Sequence, residues 1–540
     1  MEKRMKLSLK SIIENKSDWE AAAVKLPRFD IAAVRAQTEA TPEWVHFGAG
    51  NIFRGFIGSL NQKLLNDGLA KTGIIACDTF DYEVIEKIYD AFDSLTLNVL
   101  MNPDGSTSRE VLAGVAKGLK VNFADEGSKA ELKKIFRAPS LKMLSFTVTE
   151  KGYQLRKTDG ELMDVVKADM AEGPEKARHA MSIVAALLLE RFKAGALPMA
   201  VVSMDNCSHN GEKLMKSVLE IAEAWVRGGF AAEGFLAYLS DESKITFPWS
   251  MIDKITPRPH QKVLASLKDD GIEGMDPIVT SKKTFIAPFV NAEKPQYLVI
   301  EDKFPNGRPA LEKAGVYFTD RETVNKTEKM KVTTCLNPLH TAMAMYGCLF
   351  GYTLICDEMS DPIIVKLVKR LGYVEGLPVV VDPGIISPKA FIDEVVNQRL
   401  PNIFMPDDPR RIATDTSQKV GVRFGETVKS YVKEGRDLDS LVALPLAIAG
   451  WFRYLLAVND AGVAMEVSPD PLKEELQGKL AGIVWNDPTS YRGQLRPILA
   501  NATIFGSDLT ATPLADKIEK YFVRLLAGPG TCRKLLLSEL

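Results

Sequence analysis

Histidines, paired cysteines, net charge and long apolar runs are all scarce in this sequence, and each scarcity argues against a class of function. Five histidines in 540 residues argue against a histidine-rich metal centre. The six cysteines (Cys77, Cys207, Cys335, Cys348, Cys356, Cys532) are scattered and form no CxxC pair. They read as reduced thiols of a cytoplasmic protein rather than a disulfide frame or a zinc site. No metal is therefore expected. With 68 basic and 70 acidic residues the net charge is −2, which gives no footprint for nucleic acid or an anionic membrane. The longest apolar stretch, residues 441–458, contains Pro445 and Arg453 and reads as a buried helix rather than a membrane span. The charged start, Met1 to Lys6, leads into no apolar core of the signal-peptide kind.

What remains is a composition of 46% hydrophobic and 26% charged residues, ordinary for a globular protein and long enough for two or three domains. Residues 1–42 are polar and helix-leaning, and are expected to be an extension packed on the first domain. Glu43 to Phe47 reads as a short buried strand, followed by Gly48-Ala49-Gly50-Asn51-Ile52-Phe53-Arg54-Gly55 and a helix towards Asn66. Strand, glycine turn and helix N-terminus are the parts of a dinucleotide pyrophosphate site. Phe53 stands where a third glycine would be. A second strand, Gly73 to Cys77, ends in Asp78, an acid placed to accept the ribose hydroxyls of NAD and repel the 2′-phosphate of NADP. Asp81 is its rival, and capping of the next helix is the plainer alternative for Asp78.

Further strands are expected at 95–100, at 141–148 running into Thr149-Glu150, and at 199–203 running into Asp205-Asn206; a last one, 296–301, precedes a turn-rich crossing. Helical patterns at 177–194 and 211–227 lie between them. The alternation predicts a doubly wound parallel sheet in a Rossmann-like domain over 43–309. Ligands of such sheets bind beyond the carboxyl ends of the strands, which makes Asn206 a candidate oxyanion donor and leaves His209 a surface residue. From 310 to 540 the pattern is mostly helical, including 341–352, 414–433 and 441–458.

The second domain opens on Lys331-Val332-Thr333-Thr334-Cys335-Leu336-Asn337-Pro338-Leu339-His340. Redox chemistry at a carbonyl or alcohol needs a group to exchange the hydroxyl proton, a donor to polarise the oxygen, and a group to fix orientation. Lys331, Asn337 and His340 supply those types, and Asn337 and His340 share a helical face. The ordinary lysine pKa of about 10.4 must be lowered for that task by burial or a neighbouring cation. The cleft is expected between the two domains. A nucleotide sensor on the same fold would need no proton donor beside the amide and imidazole.

These motifs resemble, in order, those of the mannitol dehydrogenase family of long-chain polyol and hexuronate dehydrogenases. The glycine turn is similar to its cofactor turn, and Thr147 to Tyr153 to its TxTExGY strand end. Ser203 to Asn206 with Asn210-Gly211 resembles its SCDN…NG block, Met251 to Pro257 its VDRIxP signature with Lys254 for arginine, and Val299 to Pro309 its IED…FPxGRP segment. The resemblance implies NAD as cofactor, held by Gly48, Gly50, Asn51, Phe53, Arg54, Asp78, Thr149 and Glu150. It implies Lys331 as catalytic lysine, Asn206 and Asn337 as oxyanion amides, and His340 and Asp253 as substrate-site residues. Glu328 matches an acid serving proton exchange with solvent. The family's lysine-to-asparagine spacing is one residue shorter than Lys331 to Asn337, so either a residue is inserted here or Lys329 takes the role; the Glu328 spacing favours Lys331.

Arg411 and Lys419 resemble a substrate-reaching pair of the family, and lie two turns apart on one face if a helix runs through them. Such a pair suits a carboxylate but also a neutral polyol. Lys254 and Arg258 add positive field and tilt the expectation towards an acid. The expected reaction is metal-independent interconversion of a keto-hexuronate, fructuronate before tagaturonate, with its hexonate. Fructose reduction to mannitol is the rival. The sequence is silent on oligomeric state.

Overall fold

The computed structural model describes residues 4–540. The chain forms two compact units, one of residues up to Met101 with Ser106–Asn325, the other of Asn102–Gly105 with Lys326–Leu540.

In the first unit, β1 (Trp44–Phe47), β2 (Ile74–Asp78), β3 (Val115–Lys120), β4 (Met143–Phe146), β5 (Met199–Ser203) and β6 (Ile245–Thr246) form one sheet in the order β6-β5-β4-β1-β2-β3. Every pairing in it is parallel. β1, β2, β4 and β5 are buried at every position, because both faces are covered and the strands are apolar on both. Val45, Phe47, Ile75, Cys77, Leu144 and Phe146 enter one core, and Trp44, Ile74, Ala76 and Met143 the other. On the first face lie α2 (Ala180–Lys193) and α3 (Asn210–Arg227), the latter through Leu214, Val218, Ile221 and Trp225. The chain order reverses between β1 and β4, the point at which doubly wound sheets bind dinucleotides.

Three expectations change here. The strand near 95–100, found at Thr96–Met101, is not in the parallel sheet; it pairs antiparallel with Thr107–Leu112 and parallel with Phe289–Glu293 in a separate sheet. The third strand of the parallel sheet is β3, whose polar sequence and edge position hid it. The segment before residue 43 is woven into the unit, since Met5–Lys6 pairs with Ile272–Glu273 and Val24–Lys25 with Arg109–Glu110. β7 (Ser250–Asp253), β8 (Tyr297–Glu301) and β9 (Tyr317–Thr319) form a further sheet. β9 thereby carries the first unit past 309, to Asn325.

The second unit is helical. Its central helices are α5 (Asn337–Phe350) and α8 (Ala443–Leu455), with α9 (Leu514–Leu525) packed on α8. α8 is buried at every residue. The Glu375 carboxylate accepts from the backbone N–H groups of Val442, Ala443 and Leu444 at 2.7–2.9 Å, satisfying donors that the start of α8 leaves unpaired. No helix of the described residues is long and apolar enough to cross a membrane.

Candidate functional site

At the sheet's reversal point, β1 and β4 are tied together by side chains. His46 is fully buried and bonds Ser145 Oγ at 2.7 Å and Thr147 Oγ1 at 2.8 Å. Burial pushes its pKa down to about 3, so the imidazole is neutral and structural. Phe53 stacks on it, with ring centroids 4.2 Å apart. Above this layer the chain turns at Gly48, whose φ is +112°. A Cβ there would lie 2.2 Å from the Thr147 carbonyl oxygen, so only glycine fits. At Gly50 a Cβ would meet nothing within 4 Å. The turn is thus closed towards the sheet and open at Gly50, next to the helix start at Asn51. That shape fits a pyrophosphate.

The other expected cofactor residues divide by what they touch. Arg54 is buried and donates to the Ala287 carbonyl at 2.8 Å and to Asn51 Oδ1 at 2.9 Å; burial lowers its pKa to about 10. Phe53 is completely buried. The side chains of Phe53 and Arg54 are committed to the protein and shape the turn. Asp78 Oδ1 accepts from the N–H groups of Phe80 and Asp81 at 2.8 and 2.7 Å. Asp78 thus closes a tight turn at the end of β2, and the next helix, Tyr82–Val84, starts from Asp81 without a side-chain cap. Its pKa is raised, chiefly by burial. Phe80, two residues on, is 67% exposed with Lys282 over its ring, an aromatic surface at the strand end that no sequence motif announced.

Asp205 organises the ends of β4 and β5. Its carboxylate accepts from Val148 N at 3.0 Å, Thr149 N at 2.8 Å and the Tyr153 hydroxyl at 2.5 Å. This clamp holds Thr149 at a φ of +67°, unusual for a β-branched residue. Gly152 is required because a Cβ would touch Val148 at 2.7 Å. The two motif blocks Thr147–Tyr153 and Ser203–Asn206 thus meet in one hydrogen-bonded knot. Glu150 points outward to an ion pair with Lys213. Asn206 is exposed on the loop after β5, and Asp253 is buried at the end of β7. Asn210 fastens that loop to β7 through Ser250. His209 is exposed and packs on Trp249, in keeping with a surface role.

Helix α4 (Arg321–Met330), in which the first unit gives way to the second, runs into a π-turn, Lys331–Cys335, closed by Leu336 N donating to the Lys331 carbonyl at 3.1 Å. A π-turn holds one residue more than an α-helical turn. The turn therefore has room for the extra residue that the family resemblance implies between Lys331 and Asn337, and α5 begins at Asn337. Lys331 is 2% exposed. Lys329 is 49% exposed and paired with Glu426 at 3.0 Å. Glu328 lies half-buried in the last turn of α4.

His340 follows on α5. Burial lowers its pKa to about 4, helped by the charges of Arg423, Arg411 and Arg399 and opposed by Asp407. Its Nε2 is 3.9 Å from Asp407 Oδ2 and has no hydrogen-bond partner among the described residues. Arg411 is 64% exposed and ion-paired with Asp407. Lys419 is half-buried and donates to the Thr414 carbonyl, and its pKa is lowered by burial and then by Arg423. The expected continuous helix from 411 to 419 is absent: α6 (Pro409–Ala413) ends before Asp415, which has a φ of +54°. The two cations are not stacked on one face. Arg423 and Arg399 were missed, since neither lies in a motif. Lys254 and Arg258, expected to add field, are engaged elsewhere: Lys254 donates to the Glu293 carbonyl, and Arg258 covers the Phe285 ring at 4.1 Å.

Comparisons with known proteins agree with this division. The model of the mannitol dehydrogenase Rossmann domain matches residues 42–313, and that of the mannitol dehydrogenase C-terminal domain matches 323–525. The chain is 51% identical over 528 residues, 97% of each chain, to a D-mannonate oxidoreductase of Thermotoga maritima. It is 30% identical over 468 residues, 85% of this chain and 88% of the other, to a polyol:NADP oxidoreductase of Gluconobacter oxydans. The mannitol 2-dehydrogenase of Pseudomonas fluorescens, solved with NAD and D-mannitol, superposes with a TM-score of 0.68 at 25% identity, covering 99% of both chains. The chain belongs to the mannitol dehydrogenase family of oxidoreductases.

Proposed function

We propose that this protein is an NADH-dependent oxidoreductase that reduces a keto-hexuronate, fructuronate before tagaturonate, to the corresponding hexonate, and runs the reverse oxidation. The observation that carries the chemistry is Lys331, an amine withdrawn from solvent in the π-turn that leads directly into Asn337 and His340. The choice of sugar acid is supported by the 51% likeness across nearly the whole chain to a D-mannonate oxidoreductase.

Bound NADH supplies the hydride that the ketone carbon accepts. The turn at Gly48, Gly50 and Asn51 would hold its pyrophosphate, with Thr149 and Glu150 at the neighbouring strand end. Asp78 sits at the ribose end, where its charge disfavours a 2′-phosphate. Lys331, as ammonium, gives its proton to the substrate oxygen as negative charge develops there. The Asn337 amide donates an N–H to the same oxygen, an interaction of a kind worth roughly 10²–10³ in rate. His340, neutral above pH about 4, orients a sugar hydroxyl as a hydrogen-bond partner and does not compete as an acid. Glu328 returns a proton from water to Lys331. Asn206 and Asp253 keep the oxyanion and substrate roles that the family resemblance implies for them.

The test is NADH oxidation with fructuronate, tagaturonate and fructose, repeated with NADPH. Fructuronate with NADH is expected to give the highest kcat/KM. Fructose as the best substrate hands the protein to the polyol reading, and equal use of NADPH removes the role given to Asp78.

A further inference from the structure

The second unit holds a partly buried arginine whose charge the chain itself does not neutralise. Arg423 lies in the π-turn Gly421–Gly425 that leads into α7 (Glu426–Glu434). Its mount is rigid. A Cβ on Gly421 would lie 2.7 Å from the Ile504 carbonyl oxygen, and one on Gly425 1.9 Å from that of Phe505. Both glycines press the turn directly onto the 504–506 backbone. From there the guanidinium makes one hydrogen bond, to Thr341 Oγ1, the residue after His340. Burial alone lowers its pKa, to about 10, and no carboxylate among the described residues answers its charge.

Buried arginines of this molecule are treated differently. Arg191 donates to the carbonyls of Phe136, Ala138, Leu141, Leu197 and Pro198. Arg453 donates to those of Leu525, Val458 and Asn459. Those side chains are structural cross-links with their donors satisfied, the usual fate of a buried guanidinium. Arg423 has a single neutral hydroxyl. Its surroundings are cationic: its charge depresses both His340 and Lys419, and Arg399 and Arg411 act on His340 in the same sense. The nearest acid acting on His340, Asp407, is already paired with Arg411. A partly buried cation with no counter-ion of its own is placed to take an anion that comes to it.

We propose that Arg423 is the receptor for the substrate's carboxylate, with Lys419 as its cationic neighbour, and that Arg411 instead holds Asp407 in place. This rests on the reading of the protein as an oxidoreductase of a sugar acid, and assigns the acid's recognition to a residue outside the family motifs. A planar guanidinium can take both oxygens of a carboxylate, which an ammonium cannot.

The experiment measures kcat and KM on fructuronate and on its neutral counterpart fructose, in the wild type and in Arg423→Gln, Arg423→Lys and Arg411→Gln, with NADH affinity followed by fluorescence. For Arg423→Gln, kcat/KM on fructuronate should fall roughly 10²–10³-fold, mainly through KM, the scale of losing one partner of a buried charge pair. The loss on fructose should be at least tenfold smaller, and NADH affinity should not change. Arg423→Lys should recover part of the fructuronate loss. Arg411→Gln should cost less on fructuronate than Arg423→Gln. Equal losses on the two substrates, or a larger loss at Arg411, overturn the assignment. If Arg423→Gln does not fold, an Arg423→Lys variant that folds and keeps wild-type KM for fructuronate overturns it as well. A wild type that prefers fructose contradicts the functional reading itself and is distinguishable before any variant is made.

Discussion

Buried carboxylates in the first unit are answered by N–H and O–H donors of the chain, whereas the Arg423 guanidinium in the second unit meets only a neutral hydroxyl. Asp205 takes three donors from the chain and Asp78 takes the N–H groups of Phe80 and Asp81. Arg54, Arg399, Arg411, Lys419 and Arg423 are all cations, yet only the first of them belongs to the cofactor turn, where carbonyl and amide oxygens receive it. Of the four in the second unit, the three arginines act on one histidine, with Asp407 as the opposing charge. A polar group satisfied within the protein holds a shape, and one left without a counter-ion is available to a ligand. The first unit is built to keep a turn rigid for a cofactor. The second carries the cations that we propose meet the substrate.

That contrast can be broken in graded steps. The largest effect should come from Gly48→Ala, which places a Cβ against the Thr147 carbonyl oxygen at a φ of +112°. The loss of stability should be about 4 kcal/mol or more, read from urea unfolding. A loss below about 1 kcal/mol would mean that the turn is not closed towards the sheet. Next is Asp205→Ala, which removes the clamp on Val148 and Thr149 and leaves buried donors unpaired. It should cost about 3 kcal/mol and lower NADH affinity together with stability.

Acid sensitivity is a smaller effect. The folded-state pKa of His340, about 4, lies below the ordinary value of 6.5. Its neutral form belongs to the native state, so its contribution is intact above pH 6.5 and is lost as pH falls from there towards 4. Relative to His340→Gln, the wild type should lose about 2 kcal/mol of stability over that window, seen as a pH-dependent gap between urea midpoints. A constant gap would show that His340 does not titrate abnormally. The smallest stability effect is expected for Gly50→Ala, because its Cβ meets open space. Stability should change by no more than about 0.5 kcal/mol while NADH affinity falls. Unchanged NADH affinity would remove Gly50 from the cofactor site.

Much of this was legible in the residues. The glycine turn, the acid ending β2 and the decapeptide from Lys331 to His340 are local patterns, and local patterns survive folding. Non-local features were not legible. β3 carries Lys117, Gly118 and Lys120 and reads as polar, yet it completes the parallel sheet as an edge strand whose Lys117 pairs with Glu39 and Glu131. The expected helix over 414–433 starts only after Asp415, whose left-handed conformation periodicity does not register, and runs as a short turn at Thr416–Gln418, the π-turn Gly421–Gly425 and then α7. Phe53 and Arg54 occupy motif positions, but only the packing of His46 and Ala287 shows that their side chains face inward. Arg423 is 83 residues from His340 in sequence and carries no signature; only partial burial without a counter-ion marks it. The choice between Lys331 and Lys329 hung on one inserted residue, for which the π-turn has room.

That choice is also where the account is most exposed. The decisive measurement compares Lys331→Ala with Lys329→Ala in steady-state NADH oxidation on fructuronate, with NADH binding confirmed in both. The account predicts a fall in kcat of roughly 10²–10⁴ for Lys331→Ala, the scale of losing a general acid. For Lys329→Ala, which loses only an exposed ion pair to Glu426, kcat should stay within about threefold of wild type, in line with the small worth of such pairs. Near-normal turnover in Lys331→Ala with collapse in Lys329→Ala would contradict it.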